Sequence, residues 1–379
     1  MEGVQAPPKA AALAKDQTLP AQVKKPGAIF KAPGSATLDV ALTADGKLLA
    51  RGGGDNTVDL WDVASGKQLH TLKGHTAPLL RVAFSPDGKT LASITGSWLP
   101  DDVLGELKLW DVATGNERVS LKGHPTRMLS LAFSADGKTL ASAAGTVKLW
   151  DVATGKEKLE LKRGFAWSLA FSPDGKTLAM GSGGGIMDIT PSSVILWDVA
   201  TGKEKATLPG HPNSITWVGF APDGKTLASA SCEPYEKEKG VLQKPLPGEI
   251  KLWDVATAKE RATLPIRTIT LLQFFSLAFT ADGKTLISAT WSFGETENGI
   301  GLAVQHWEVA TGKERAAFWA PYKGSVNGAG TNAGVFFAAL SADGKTVAWG
   351  GAEEQDKKIT GTAHVWDVQA LATSPPKLP

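Results

Sequence analysis

Three observations predict an all-β chain assembled from repeats that share one closed core. A Trp-Asp pair returns in register seven times, at Trp61-Asp62, Trp110-Asp111, Trp150-Asp151, Trp197-Asp198, Trp253-Asp254, Trp307-Glu308 and Trp366-Asp367. An Asp-Gly-Lys triplet precedes each pair, beginning at Asp45, Asp87, Asp136, Asp174, Asp223, Asp282 and Asp343. Between them lie short apolar runs broken by turn residues, and no segment has the length and 3.6-residue period of a helix. Length alone would suggest two or three domains for 379 residues, but repeated units stack around a common core and override that count.

The second repeat shows why each unit reads as four strands, here called a to d. Residues 79–85 (LLRVAFS) are an apolar strand a, closed by Pro86-Asp87-Gly88. Proline presets φ at the first turn position and glycine takes the left-handed one, which predicts a three-residue hairpin with a bulge. Residues 89–94 (KTLASI) form strand b and 107–112 (LKLWDV) strand c. Ala113-Thr114-Gly115 repeats the turn chemistry, and residues 116–122 form the more polar strand d expected at an outer edge. Strands a to c are apolar on most positions because both of their faces are covered. The Asp after each Trp is placed to cap the c–d turn by accepting backbone N–H bonds. Blade five departs from the pattern: Ala258 stands where most copies have Gly, so an alanine in left-handed backbone is expected there.

These residues resemble the WD-repeat family of β-propellers, in the highly regular form of bacterial-type members. The likeness rests on Gly74-His75, Gly123-His124 and Gly210-His211, on strands ending Ala-Phe-Ser-Pro-Asp-Gly, and on Leu-Trp-Asp, and it covers residues 25–368. It implies a seven-bladed propeller of four-stranded antiparallel blades. Residues 25–32 align with a strand d that has no a, b or c of its own, while the last repeat ends after strand c. The N-terminal strand is therefore expected to complete blade seven and remove an exposed edge. Residues 1–24 read as a flexible arm and 369–379 as a Pro-rich tail.

Composition excludes little beyond the obvious. A net charge of +2 gives no global field for nucleic acid or an anionic membrane. One cysteine rules out an intrachain disulfide and gives no thiol pair for a metal. No apolar run approaches the ~20 residues that span a bilayer, and residues 1–19 lack the pattern of a secretory leader. A cytoplasmic monomer is the expectation.

Function is expected where the repeats differ. Trp to the next Asp-Gly-Lys spans 26, 26, 24, 26, 29 and 36 residues, and Asp-Gly-Lys to Trp spans 16, 23, 14, 23, 30, 25 and 23. The variation falls in the b–c connections and the last d–a connection, which emerge on one face of such a ring, so that face is read as the binding face. Blade two carries Trp98, Asp101 and Asp102 there; blade four the Gly-rich 181–193; blade five a charged loop with Tyr235; blade six Trp291 and Phe293; blade seven 353–358. The five b–c loops of these blades hold thirteen acidic residues against five lysines, a net of −8. The opposite face pairs its Asp-Gly-Lys carboxylates with lysines and reads as neutral to basic.

The resemblance assigns the channel mouth to Ala36, Pro78, Arg127, Phe165, Ser214, Gln273 and Gly334, of which Arg127 and Gln273 are the strong polar groups. It also implies a stiffening set in each blade: a His in the d–a loop, a Ser or Thr on strand b, an Asp in the b–c turn and the Trp. His75, His124 and His211 with Ser93, Ser142 and Ser229 match in part. The Asp position, six before the Trp, holds Leu104, Ala144 and Pro247, and only Asp55 fits it, in a blade with Arg51 and Pro33 for Ser and His. The complete set is therefore expected in no blade, and the three histidines and the seven repeat tryptophans are structural. No phosphate loop, calcium or zinc spacing or nucleophile elbow is present. The reading is a non-catalytic scaffold without metal or cofactor. It displays aromatic anchors and an acidic rim to a protein or peptide, basic in character, and not to nucleic acid. An enzyme or small-ligand sensor using Arg127 and Gln273 is the alternative.

Overall fold

In a computed structural model the chain forms seven antiparallel four-stranded blades around a central axis. The residues described are 28–96, 105–122, 124, 128–162, 164–183, 192–231, 237–238, 241–242, 248–266, 275–293, 300–322, 338–341, 345–355 and 358–367. Blade two runs Leu79–Phe84, Thr90–Thr95, Leu107–Asp111 and Glu117–Leu121 from the axis outward, as its apolar and turn residues predict. Each core is shared between neighbours. Leu60 and Leu72 of blade one pack with Leu91 and Trp110 of blade two, and Leu107 and Leu121 of blade two with Trp150 of blade three.

Ring closure follows the expected route. Ala28–Pro33 pairs antiparallel with Lys358–Asp367, register Phe30↔Ala363, and becomes the outer strand of blade seven. Phe30 is buried among Val40, Leu49, Ala348, Ala363 and Val365, with its ring 5.9 Å from that of Trp61. The strand that closes blade seven thus also seals the core beneath blade one.

The turns are tighter in chemistry than the sequence suggests. Four residues, not three, separate Ser85 from Thr90. Gly88 N–H donates to Ser85 O, and Thr90 N–H turns to the Ser85 hydroxyl instead of its carbonyl. Asp87 accepts from the Ser85 hydroxyl (2.6 Å) and from Lys89 N–H (3.0 Å), so this Asp serves its own turn more than it serves a lysine. At the other hairpin Asp111 accepts from Thr114 N–H and Thr114 Oγ1, each at 2.8 Å. Those two bonds hold its carboxyl below the usual range. Ser65, Thr154, Thr201 and Thr257 repeat the cap.

Ala258 has φ of 55°, where Gly66, Gly115, Gly155, Gly202 and Gly312 of the other c–d turns lie between 65° and 72°. Ala258→Gly is expected to stabilise the chain by up to about 1 kcal/mol, reduced by the freedom glycine adds to the unfolded chain. Denaturant unfolding of the two proteins measures it.

Blades six and seven differ from the rest. Strand b of blade six runs Thr285–Phe293 and pairs with Ile300–Glu308 as far as Phe293↔Ile300; strand d, Glu314–Tyr322, follows to Tyr322. In blade seven Thr346–Gln355 pairs with Lys358–Asp367 out to Gln355↔Lys358. Trp291, Phe293 and residues 353–355 and 358 therefore lie on ladders that project from the b–c face, not in loops. A two-residue ladder, Lys237–Glu238 with Val241–Leu242, sits in the blade-five connection.

Candidate functional site

The stiffening network does form, with a different acid. In blade two the Ser93 hydroxyl accepts from Trp110 Nε1 (2.7 Å) and meets His75 Nε2 at 2.6 Å, while His75 Nδ1 reaches Glu106 Oε2 at 2.9 Å. A neutral imidazole protonated on Nδ1 satisfies both contacts. Burial lowers the pKa of His75, against the opposing pull of Glu106. Partial burial pushes the Glu106 carboxyl up, but bonds from Thr76 N–H, Thr76 Oγ1 and His75 bring it below its ordinary range. Glu106 stands four residues before the Trp, not six, and its longer side chain reaches back to the d–a loop.

Blade five repeats this. Ser229 takes Trp253 Nε1 at 2.7 Å and His211 Nε2 at 2.6 Å, and Glu249, again four before the Trp, lies 3.2 Å from His211 Nδ1 but off the hydrogen-bond axis. Blade three keeps His124, Ser142 and Trp150 at 2.6 and 2.8 Å, with Thr146 in the acid's column. His124 Nδ1 has no partner among the described residues, and burial pushes its pKa down to about 4. The set with its Asp is absent from these blades, as expected, but the expectation that no blade has a full network is corrected in blade two, where Glu106 takes the acid's part. Two of the thirteen carboxylates counted for the rim, Glu106 and Glu249, belong to the frame, leaving eleven acids against five lysines.

Blade one solves the same column with charge. Arg51 is fully buried. It donates through Nη1 to Asp59 Oδ2 (2.8 Å), through Nε to Thr37 Oγ1 (3.0 Å) and through Nη2 to Ser35 O (2.8 Å). Asp59 Oδ1 accepts from Gln68 Nε2 (2.9 Å) and Thr71 Oγ1 (2.8 Å). Asp55, the residue that fitted the expected position, lies 3.9 Å from Nη1 and serves Thr57. A Cβ on Gly361 of blade seven would sit 2.3 Å from Ser35 O and 2.7 Å from Arg51 Nη2. The guanidinium therefore lies under the closing blade.

Around the channel, strand a of one blade accepts an N–H from strand a of the next. Leu169 N–H donates to Ser130 (3.1 Å) and Val218 N–H to Ser168 (3.0 Å). Blade one uses Asp39, which takes Val82 N–H at 2.7 Å and is 4% exposed. Burial raises its pKa to about 7, against the pull of Arg81. A carboxyl raised in the folded state stabilises fully below its unfolded pKa near 4, and loses that contribution as pH rises through about 7. Asp39→Asn keeps an acceptor for Val82 and is expected to stabilise at pH 8 by up to about 4 kcal/mol, with the gain shrinking towards pH 5. Unfolding curves across pH 5–8 check the slope.

The expected binding residues are placed unevenly. Phe165 is 42% exposed at the start of blade four, and Pro78 is also exposed. Ser214 is buried, closely covered by the backbone of Gly183, so it does not line the mouth. Trp291 and Phe293 lie on the projecting strand b of blade six, paired with Leu302 and Ile300. Trp98, Asp101, Asp102, Arg127, Tyr235 and Gln273 lie outside the described residues, as does Gly334. Trp61, Trp110, Trp150, Trp197, Trp253, Trp307 and Trp366 are all buried, as their structural role requires.

Comparison with known sequences agrees with this architecture. Residues 24–62, 66–111, 115–151 and 202–233 match the family described as WD domain, G-beta repeat. An uncharacterized WD repeat-containing protein of Synechocystis is 44% identical over 66 residues, 17% of this chain and 19% of that one. Eukaryotic translation initiation factor 3 subunit I of Phaeosphaeria nodorum is 49% identical over 59 residues, 16% of this chain and 17% of its own length. Ribosome assembly protein 4 of Chaetomium thermophilum is 58% identical over 43 residues, 11% of this chain and 8% of its own. The match thus spans a fifth or less of each relative and follows the repeat alone. With the same build in all seven blades the chain is a seven-bladed β-propeller, and the repeats of blades one, two, three and five match the WD domain, G-beta repeat family.

Proposed function

We propose that this propeller is a non-catalytic interaction scaffold that binds a basic protein or peptide on the face carrying its b–c connections. The observation that supports it most is the asymmetry of the two faces. One ends in short capped turns of nearly constant build, and the other carries the projecting ladders of blades six and seven with exposed Phe165. Rigid blades hold such elements in place, which lowers the ordering cost of binding. Propellers with such repeats serve widely as protein-interaction platforms, and the build of this chain fits that use. The regularity of the repeats also fits the bacterial-type members.

Aromatic anchors would carry affinity and the acidic rim would speed encounter. Trp98→Ala or Trp291→Ala is expected to raise dissociation by the equivalent of ~2 kcal/mol, about 30-fold, while Asp101→Asn/Asp102→Asn slows association in a salt-sensitive way. Surface plasmon resonance with a partner captured from source-cell extract separates the two rates. Unchanged kinetics in both variants would remove this face from the proposal.

A further inference from the structure

On the face opposite the proposed binding face a polar bond recurs in blades two to five and is replaced by an apolar pair in blade one. In blade two Arg118 Nη1 donates to Thr90 Oγ1 (2.8 Å), bridging strand d to the first residue of strand b. Lys158 to Thr139 (3.0 Å), Lys205 to Thr177 (2.8 Å) and Arg261 to Thr226 (3.0 Å) repeat it in blades three, four and five. In blade one both members change together: Leu48 takes the threonine's place and Leu69 the cation's. Leu69 is 38% exposed, one of three large hydrophobic side chains left so among the described residues.

The double exchange opens a groove between blades one and two. Its volume is about 560 Å³, and Leu48, Leu69 and Val112 are among its lining residues. Leu48 packs onto the core shared by these blades, so the groove continues the hydrophobic interior outward. His70 closes one end, with its Nε2 against Ala113 O of blade two at 3.1 Å. Lys67 and Lys89 also line the groove and are exposed. Asp111 lies beside them, with its Oδ1 committed to the Thr114 turn.

We infer that this groove docks a short acidic peptide segment, seating one branched apolar side chain between Leu48 and Leu69 with flanking carboxylates on Lys67 and Lys89. An apolar floor sized for one or two side chains, bordered by two cations, is complementary to that chemistry and unfavourable for a basic segment. The inference does not depend on the opposite face and stands or falls separately from it.

The test uses a displayed random-peptide library selected on the full chain and on Leu48→Thr/Leu69→Arg, which rebuilds the bond found in blades two to five and so preserves the fold. The expected result is a set of peptides with one Leu, Ile or Val flanked by Asp or Glu that binds the wild type at least tenfold better than the rebuilt variant. Lys67→Glu/Lys89→Glu should weaken the same peptides at least as much. The inference is overturned if the selection yields no peptides sensitive to Leu48→Thr/Leu69→Arg, or if the sensitive ones are basic. It is likewise overturned if the wild type is a dimer that this variant converts to a monomer, since the occupant would then be a second copy.

Discussion

A chain lacking residues 1–33 is expected to unfold at a markedly lower temperature than the full chain, whereas one lacking residues 1–20 should melt with it. The first truncation removes the outer strand of blade seven, six paired positions from Ala28↔Val365 to Pro33↔Thr360. It also withdraws Phe30 from the core under blade one. Loss of one buried Phe costs about 3–5 kcal/mol on its own, and the exposed edge of Lys358–Asp367 adds an aggregation-prone ladder. The second truncation ends seven residues before the strand begins. Thermal unfolding by circular dichroism compares them, and equal melting of the two truncations would contradict closure by this strand.

The next largest effect is expected at the charged column of blade one. Asp59→Ala leaves Arg51 fully buried without its carboxylate and should destabilise by about 3–5 kcal/mol. Most of that cost is the stranded guanidinium, not the worth of the pair. Blades two, three and five hold Ser and Lys in these two columns. Arg51→Ser/Asp59→Lys is therefore expected to recover much of the stability that Asp59→Ala loses. Chemical denaturation of the three proteins measures it, and a recovered variant no more stable than Asp59→Ala would show that the closing blade has become specific for Arg51.

What the sequence revealed and what it concealed divide along a physical line. Strand order, turn positions and closure were legible because seven copies hold phase, and because Gly, Pro and Asp mark turns by backbone chemistry. The left-handed Ala258 followed from the same alignment. The projecting ladders of blades six and seven were read as loops, because 353–358 is charged and lacks the apolar alternation that marks a half-buried strand. Backbone pairing carries those ladders. The acid of the blade network was sought six residues before the Trp, whereas Glu106 and Glu249 reach it from four, a difference of side-chain length that spacing alone conceals. Asp39, Leu48 and Leu69 were missed for another reason, and Arg51 was read only as a departure from Ser. Each is ordinary by itself and conspicuous only in its column, where most of the other blades carry Ser, Thr, Arg or Lys.

The most direct measurement of the scaffold proposal is hydrogen–deuterium exchange of the full chain with and without a partner captured from source-cell extract. The account predicts added protection at 97–104, 184–191, 294–299 and 351–357, on the b–c face, with the a–b turns at 86–89, 135–138 and 173–176 unchanged. Protection confined to those turns, with the b–c connections exchanging as in the free chain, would contradict it.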